Sequence, residues 1–242
     1  MSGHSKWSNI KNKKEKSDSQ RAKIFTKIGR EIAVAVKEGG PDINANSKLK
    51  DVVAKAKSLN VPNDNIERSI KKAAGEGDAN NYEEIIYEGY GPSGVAVIVE
   101  TLTDNRNRTA SSMRHYFDKF GGNLGQVGCV GFMFDKKGVI IIENEDSEID
   151  EETLMMDALD GGASDFSAEE GYFEILTEPD DFSFVCDALE AKNYKFSSAQ
   201  VENVPQTTVS LTDEDAIKNM SKLIEMLEDD DDVQNIYHNW EE

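Results

Sequence analysis

The sequence predicts an α+β protein in which an N-terminal three-helix domain is followed by two ferredoxin-like α/β domains, one inserted in the other. The first observation behind this prediction is a set of apolar residues at helical spacing over residues 21–75. After residue 82, short apolar patterns typical of strands alternate with helical patterns. With 242 residues the chain is long enough for two or three compact units, each with its own core.

The first two helices are indicated by apolar stripes with clear ends. The first, Arg21 to Lys37, has an apolar face formed by Phe25, Ile28, Ile32 and Ala35. It is ended by a Gly-Gly-Pro sequence at residues 39–41. The second begins after Asn46 or Ser47 as its N-cap and stops at Asn60.

A third helix is predicted from Asn63 or Asp64 to the glycine at residue 75. Asp64 and Glu67 have the spacing of a capping box, which favours a helix start at this position. The polar, glycine-containing run Gly75–Asn81 then predicts a linker. These three helices form the predicted helical domain.

Strands and helices alternate beyond the linker. The first group comprises strands at Ile85–Tyr87 and Val95–Leu102 joined by a glycine-rich turn, a helix capped by Asp104 or Asn105 and ending at Phe120, and a strand at Gly128–Phe134. The second group has the order βαββαβ, at 138–142, 151–159, 163–167, 172–177, 180–192 and 195–201, which is a complete ferredoxin-like unit. A strand at 207–211, a helix at 213–227 and a strand at 233–240 complete the interrupted first group.

The predicted domains follow from this order. They are a basic arm over residues 1–20, a helical domain over 21–78, a discontinuous α/β domain over 79–134 plus 206–242, and an inserted ferredoxin-like domain over 135–205.

The charge is distributed very unevenly along the chain. The formal net charge is −20, which by itself argues against a nucleic-acid partner. Residues 1–72, however, hold 17 Lys/Arg against 8 Asp/Glu, so about +9 is confined to one end and about −29 to the rest. This asymmetry favours phosphate binding by the N-terminal part.

The candidate nucleic-acid-binding residues are the cations of the arm and the first helix, with one aromatic residue among them. They are Lys6, Trp7, Lys11, Lys13, Lys14, Lys16, Arg21, Lys23, Lys27 and Arg30. The third helix adds Arg68, Lys71 and Lys72. The alternative interpretation is a solvated tail followed by an ordinary solvated helix face. Sequence-specific reading by the second and third helices as a helix-turn-helix is a further alternative beside a simple three-helix bundle.

A second anion or RNA site is indicated by Arg106, Arg108 and Arg114. The first two lie in a first helical turn, where the helix dipole disfavours cations, so that either an external anion or an internal salt bridge is expected. The segment Glu88–Gly94 is interpreted as a hairpin turn, with a close-approach loop for a ligand as the alternative. The acidic stretches 143–152 and 228–232 are interpreted as solvated surface.

Other function classes find little support in the sequence. Three distant histidines and the absence of nucleophile, P-loop and paired metal-ligand motifs argue against an enzyme, a metal site or a cofactor. No apolar stretch is long enough for a membrane span, so no membrane partner is expected. Cys129 and Cys186 form no CxxC pair and each is expected within a strand or helix core, which favours a reducing cytoplasm.

Several motifs resemble one known family over nearly the full length. They are GHSKW at 3–7 with NIK at 9–11, KIFTK at 23–27, REI at 30–32, NDNIERSIKK at 63–72, YEGYGPSG at 87–94, LTDNRNRT at 102–109 and GGNLG at 121–125. On these residues the chain resembles the YebC/PmpR family, which includes the mitochondrial translational activator of cytochrome c oxidase. The resemblance implies a helical domain followed by two α/β domains. It also implies either a cytoplasmic DNA-binding transcriptional regulator or a translation factor acting at the ribosome.

Three hypotheses therefore remain at the level of sequence. The first is a DNA-binding transcriptional regulator whose arm and third helix neutralise phosphates. The second is a ribosome-associated translation factor that uses the same arm on ribosomal RNA. The third is a protein-interaction module whose acidic domains bind a basic partner without nucleic acid.

Overall fold

The structure is a computed structural model that describes residues 18–75, 81–145 and 148–241; for residues 18–20 it describes the backbone only. The described chain divides into two compact units. The larger unit contains the described residues up to Gly131 together with Ser210–Trp240, and the inserted unit contains Phe132–Val209 and Glu241. The α+β fold class predicted from the sequence is confirmed. The predicted bounds of separate helical and α/β domains stay a prediction, because both parts lie in the larger unit.

Three helices form the first part of the larger unit: α1 (Asp18–Gly39), α2 (Ser47–Ser58) and α3 (Asn63–Ala74). Their apolar faces meet in one core, which includes Ile28, Ile32, Leu49, Val53, Ile66 and Ile70. Asn46 is the N-cap of α2, since its Oδ1 accepts a hydrogen bond from Leu49 N at 3.0 Å. The predicted capping box of α3 is wrong: the N-cap is Pro62, which has no side chain that could accept a hydrogen bond from the helix.

The larger unit continues with a four-stranded antiparallel sheet and two helices. Its elements are β1 (Glu83–Tyr90), β2 (Ala96–Thr103), α4 (Arg106–Lys119), β3 (Asn123–Leu124), α7 (Glu214–Asp229) and β9 (Val233–His238). The strand order is β3-β1-β2-β9, so β9, the last strand of this sheet along the chain, lies beside β2. Asn105 caps α4 as predicted, with Oδ1 accepting from Arg108 N at 3.1 Å.

Strands β1 and β2 form a hairpin whose turn is shorter than the sequence suggested. Residues 88–90 belong to β1, and Gly91 N donates to Val95 O at 2.7 Å to close the turn. Gly89 is required by a close approach, because a Cβ atom there would lie 2.6 Å from the carbonyl oxygen of Asn123 on β3.

The inserted unit is the predicted ferredoxin-like arrangement. Its elements are β4 (Phe134–Glu143), α5 (Glu151–Asp160), β5 (Asp165–Glu169), β6 (Tyr172–Thr177), α6 (Phe182–Ala191) and β7 (Ser198–Pro205), and its strand order is β5-β6-β4-β7. The helices pack over Ile140, Ile142 and Ile175 of the sheet. The short strands β8 (Val209–Ser210) and β10 (Trp240–Glu241) lie where the chain passes between the two units.

One predicted strand is wrong. Of the range Gly128–Phe134, only Phe134 belongs to a strand, and the preceding residues form turns and a short 3-10 segment. The N–H groups of Gly128, Val130 and Gly131 donate to the carboxylate of Glu88 instead of to a neighbouring strand. Cys129 therefore lies in a turn rather than in a strand core, whereas Cys186 lies on α6 as expected for a helix.

Candidate nucleic-acid interface

The predicted cationic residues are placed on three helices of the larger unit or lie outside the described residues. Lys6, Trp7, Lys11, Lys13, Lys14 and Lys16 lie outside the described residues. Helix α1 carries Arg21, Lys23, Lys27 and Arg30, and α3 carries Arg68, Lys71 and Lys72. Helix α4 carries Arg106, Arg108 and Arg114.

Most of the α1 cations contact an acidic segment at the end of α7. This segment, Glu228–Asp232, is from here called the acidic turn. Lys23 Nζ lies 2.7 Å from Asp229 Oδ1, and Lys27 Nζ donates to the carbonyl oxygen of Glu228 at 2.8 Å. Part of the predicted phosphate-binding face of α1 is thus neutralised within the protein.

Arg30 is held most firmly of the α1 cations. Its Nη1 donates to Asp232 Oδ1 at 2.6 Å and also contacts the backbone carbonyls of Asp231 and Leu102 at 2.7 and 3.1 Å. The guanidinium lies over the ring of Tyr82, 5.4 Å from its centroid. Only 15% of the Arg30 side chain is exposed, so it is poorly placed to reach an external phosphate.

Asp232 is the centre of this network and is buried. Its carboxylate also accepts from Arg108 Nη2 at 2.8 Å and from Thr109 Oγ1 at 2.7 Å. Burial alone would raise the pKa of Asp232, but the hydrogen bonds from Arg108, Thr109 and Arg30 outweigh it and hold the pKa below its ordinary value. The interpretation of the acidic stretch 228–232 as solvated surface is therefore wrong for Asp232.

One of the α4 arginines forms salt bridges within the protein, and the other two are exposed. Arg108 makes salt bridges to Asp232 and to Asp104, both at 2.8 Å, which corresponds to the internal alternative considered for this turn. Arg106 and Arg114 are exposed. One member of the predicted trio, Arg108, is thus engaged within the protein.

Further exposed cations lie on α3. Arg68 and Lys71 are exposed, and no hydrogen bond or ion pair engages either of them in the parts of the chain that the structure describes. Lys72, in the same last turn, is also exposed. Ile66 and Ile70 fix this helix to α1 and α2, so that its polar face is presented from a rigid support.

Glu88 is an organising residue that the sequence analysis did not identify. It lies buried in β1, and its carboxylate accepts three backbone N–H groups, from Gly128 at 2.8 Å, Val130 at 2.9 Å and Gly131 at 2.7 Å. Burial alone would raise its pKa, but these three hydrogen bonds outweigh burial and lower it. The one available signal was the place of Glu88 at the start of the glycine-rich segment Glu88–Gly94.

The structure also bears on two other classes of site, metal centres and membrane spans. Across residues 18–75, 81–145 and 148–241, no group of three or more His, Cys, Asp or Glu side chains could hold a metal ion. No helix within that described part is long and apolar enough to cross a membrane.

Comparison with known proteins gives matches over nearly the whole chain. Residues 5–76 match the model of the TACO1/YebC protein N-terminal domain, and residues 82–240 match that of the TACO1/YebC second and third domain. A protein of Acetivibrio thermocellus is 68% identical over 99% of both chains. A protein of Ruminiclostridium cellulolyticum is 64% identical over 100% of this chain and 97% of the relative. Each of these relatives bears the name "Probable transcriptional regulatory protein".

A solved structure has the same fold. The crystal structure of a conserved hypothetical protein from Aquifex aeolicus matches with a TM-score of 0.83 and 44% sequence identity. The match covers 93% of this chain and 92% of that one. The arrangement described above is thus shared with a related protein from another organism.

Proposed function

This chain belongs to the TACO1/YebC family, and from that premise we propose that it is a regulator of gene expression that binds nucleic acid through its basic N-terminal part. Contact with phosphates is made by the arm cations and by the exposed face of α3. The observation that carries this proposal is the pair Arg68 and Lys71 on the rigid helix α3, which are exposed and make no hydrogen bond or ion pair with the described residues.

The finer proposal is a DNA-binding transcriptional regulator. It is supported by the name that the two relatives bear. In this form the arm and α3 contact the phosphates of a duplex, with base contacts left to Asn65 on α3.

A second candidate is a translation factor that contacts ribosomal RNA, and one observation favours it. A duplex offers a regular line of phosphates, about one per 1.7 Å of axis, which suits a continuous cationic helix face. On α1, however, Lys23, Lys27 and Arg30 contact the acidic turn. The remaining separate cations fit the irregular phosphate positions of folded RNA at least as well.

The test of nucleic-acid binding is fluorescence anisotropy with the full chain, using a DNA duplex and an RNA hairpin. The variant Arg68→Gln/Lys71→Gln is compared with Lys50→Gln/Lys57→Gln, which removes the same charge from exposed positions on α2. We expect the α3 variant to bind roughly tenfold more weakly and to show a smaller salt dependence between about 50 and about 200 mM, by about one unit of slope per cation lost. Equal affinity of the α3 variant and the parent protein would refute the proposed interface.

The choice between the two candidates rests on sedimentation of the tagged protein from lysate. Samples are run on sucrose gradients with and without a nuclease that digests only DNA. Co-sedimentation with ribosomal particles that survives the nuclease supports the translation factor. Association that disappears on DNA digestion supports the transcriptional regulator.

A further inference from the structure

A cavity of about 200 Å³ lies between α1 and α3, directly beside Arg68. Its floor is apolar and buried, formed by Ile28, Ile32, Val61 and Ile66. Its rim is polar and accessible: Asn65 and Ser69 are half-buried, and Arg68 is exposed. An apolar interior with a few polar groups at its mouth is the usual construction of a small-ligand site.

The size of the cavity suits a single flat ring. An engineered apolar cavity of about 150 Å³ accommodates a benzene molecule. The cavity here is somewhat larger, and the half-buried ring of Phe25 forms one of its walls. Phe25 can therefore provide an aromatic surface against an inserted ring.

We propose that this cavity binds one unpaired nucleobase of a single-stranded nucleic acid. The base lies against Phe25 and the apolar floor, and the Asn65 carboxamide and Ser69 hydroxyl provide donors and acceptors for its edge. Arg68 at the rim binds the phosphate attached to the same nucleotide. This inference rests on the proposed function, because it deepens the role of the α3 face.

Charge and accessibility select this occupant over an uncharged aromatic compound. Arg68 lies at the mouth of the cavity, and Lys71 lies one helical turn further along α3, so two exposed positive charges stand on this part of the helix. A nucleotide satisfies both the apolar interior and this charge. A base within a duplex must first be unstacked and unpaired at a cost of a few kcal/mol, so an unpaired strand is the preferred ligand.

The experiment measures how much the bases contribute to binding. Fluorescence anisotropy of the full chain is recorded with strands of roughly twelve nucleotides: oligouridine RNA, oligothymidine DNA and an abasic strand that has phosphates but no bases. The test variant is Asn65→Leu, which replaces the amide at the rim by an apolar side chain. Its matched control is Asn63→Leu, at an exposed position in the first turn of α3 outside the cavity. Circular dichroism verifies that both variants fold.

We expect the protein to bind the base-containing strands about ten- to a hundredfold more tightly than the abasic strand. For Asn65→Leu, most of this difference in affinity between base-containing and abasic strands should disappear, while the affinity for the abasic strand is unchanged. Asn63→Leu should behave like the parent. A loss seen with RNA only, or with DNA only, supports the pocket and identifies which strand it serves.

Two results separate failure of this inference from failure of the proposed function. Equal binding of base-containing and abasic strands, or an Asn65→Leu variant that keeps the full difference, overturns the base pocket while nucleic-acid binding stands. A protein that binds none of the strands and no duplex at low salt overturns the proposed function and with it the pocket.

Discussion

Replacement of Asp232 by asparagine should destabilise the larger unit substantially. The carboxylate accepts hydrogen bonds from Arg30, Arg108 and two threonine hydroxyls, and only 5% of the Asp232 side chain is exposed. Hydrogen bonds to a charged group contribute roughly 1.5–3 kcal/mol each, and leaving a buried ion without its partner costs about 3–5 kcal/mol.

These figures must be reduced for the two arginines. Arg108 is 49% exposed and can be hydrated when Asp232 is neutral. Arg30 keeps two backbone carbonyl acceptors. We therefore expect the free energy of unfolding to fall by about 3 kcal/mol for Asp232→Asn, which lowers Tm by about 6–12 °C in a chain of this size.

The assay is urea unfolding at several pH values, with Asp231→Asn as the control. Asp231 is exposed and contacts Arg30 only through its backbone carbonyl, so its variant should lie close to the parent. Because the pKa of Asp232 is lowered in the folded state, its contribution is present above its ordinary value of 3.8 and is lost as the pH falls through its folded value. The difference in the free energy of unfolding between the parent and Asp232→Asn should therefore shrink as the pH falls. If Asp232→Asn unfolds like Asp231→Asn at neutral pH, the network does not stabilise the fold as argued.

Three further predictions concern single side chains in the larger unit. Glu88→Gln should lower the free energy of unfolding by about 2 kcal/mol and accelerate hydrogen exchange in residues 125–131, since the carboxamide has one acceptor oxygen for three N–H groups and its NH2 group is itself a donor; unchanged exchange would contradict the anchoring role of Glu88. Asn46→Ala should lower the free energy of unfolding, measured by thermal unfolding, by about 2 kcal/mol, because the Asn46 side chain caps α2 and also donates to two backbone carbonyls. Asn44→Ala, at an exposed position, should change it little. Burial lowers the pKa of His238 to about 4, from an ordinary value of 6.5 that the unfolded chain retains, so stability should fall by about 3 kcal/mol as the pH drops from 6.5 towards 4. A His238→Gln variant should lack this slope, and an identical pH profile would show that another group titrates.

The sequence predicted the features whose causes are local. Asn46 and Asn105 were each one of two predicted N-cap candidates, because an N-cap side chain bonds to a backbone group three residues away. The ferredoxin-like order was predicted because each strand and helix has its own periodicity.

The predicted strand at residues 128–134 is wrong for a reason that lies far away in the sequence. Residues 128–133 have the composition of a strand, but Glu88, about forty positions earlier, takes their N–H groups. The α1 cations remain predicted phosphate ligands, but the sequence did not indicate that Lys23 and Arg30 contact residues about two hundred positions later. Contacts between residues so far apart in the sequence form only in the assembled fold, so neither composition nor residue spacing predicts them. The cavity beside Arg68 is likewise a product of how α1 and α3 pack.

The contact between α1 and the acidic turn also has a consequence for biosynthesis. Translation produces α1 early, while Asp229 and Asp232 are added about two hundred residues later. Throughout that interval Lys23 and Arg30 are without these carboxylates, and β2 is without its neighbour β9. The nascent chain therefore has a different charge distribution from the finished protein, with a more strongly cationic N-terminal part. Chaperones or nucleic acids that meet it during synthesis encounter charges that the mature fold later neutralises itself.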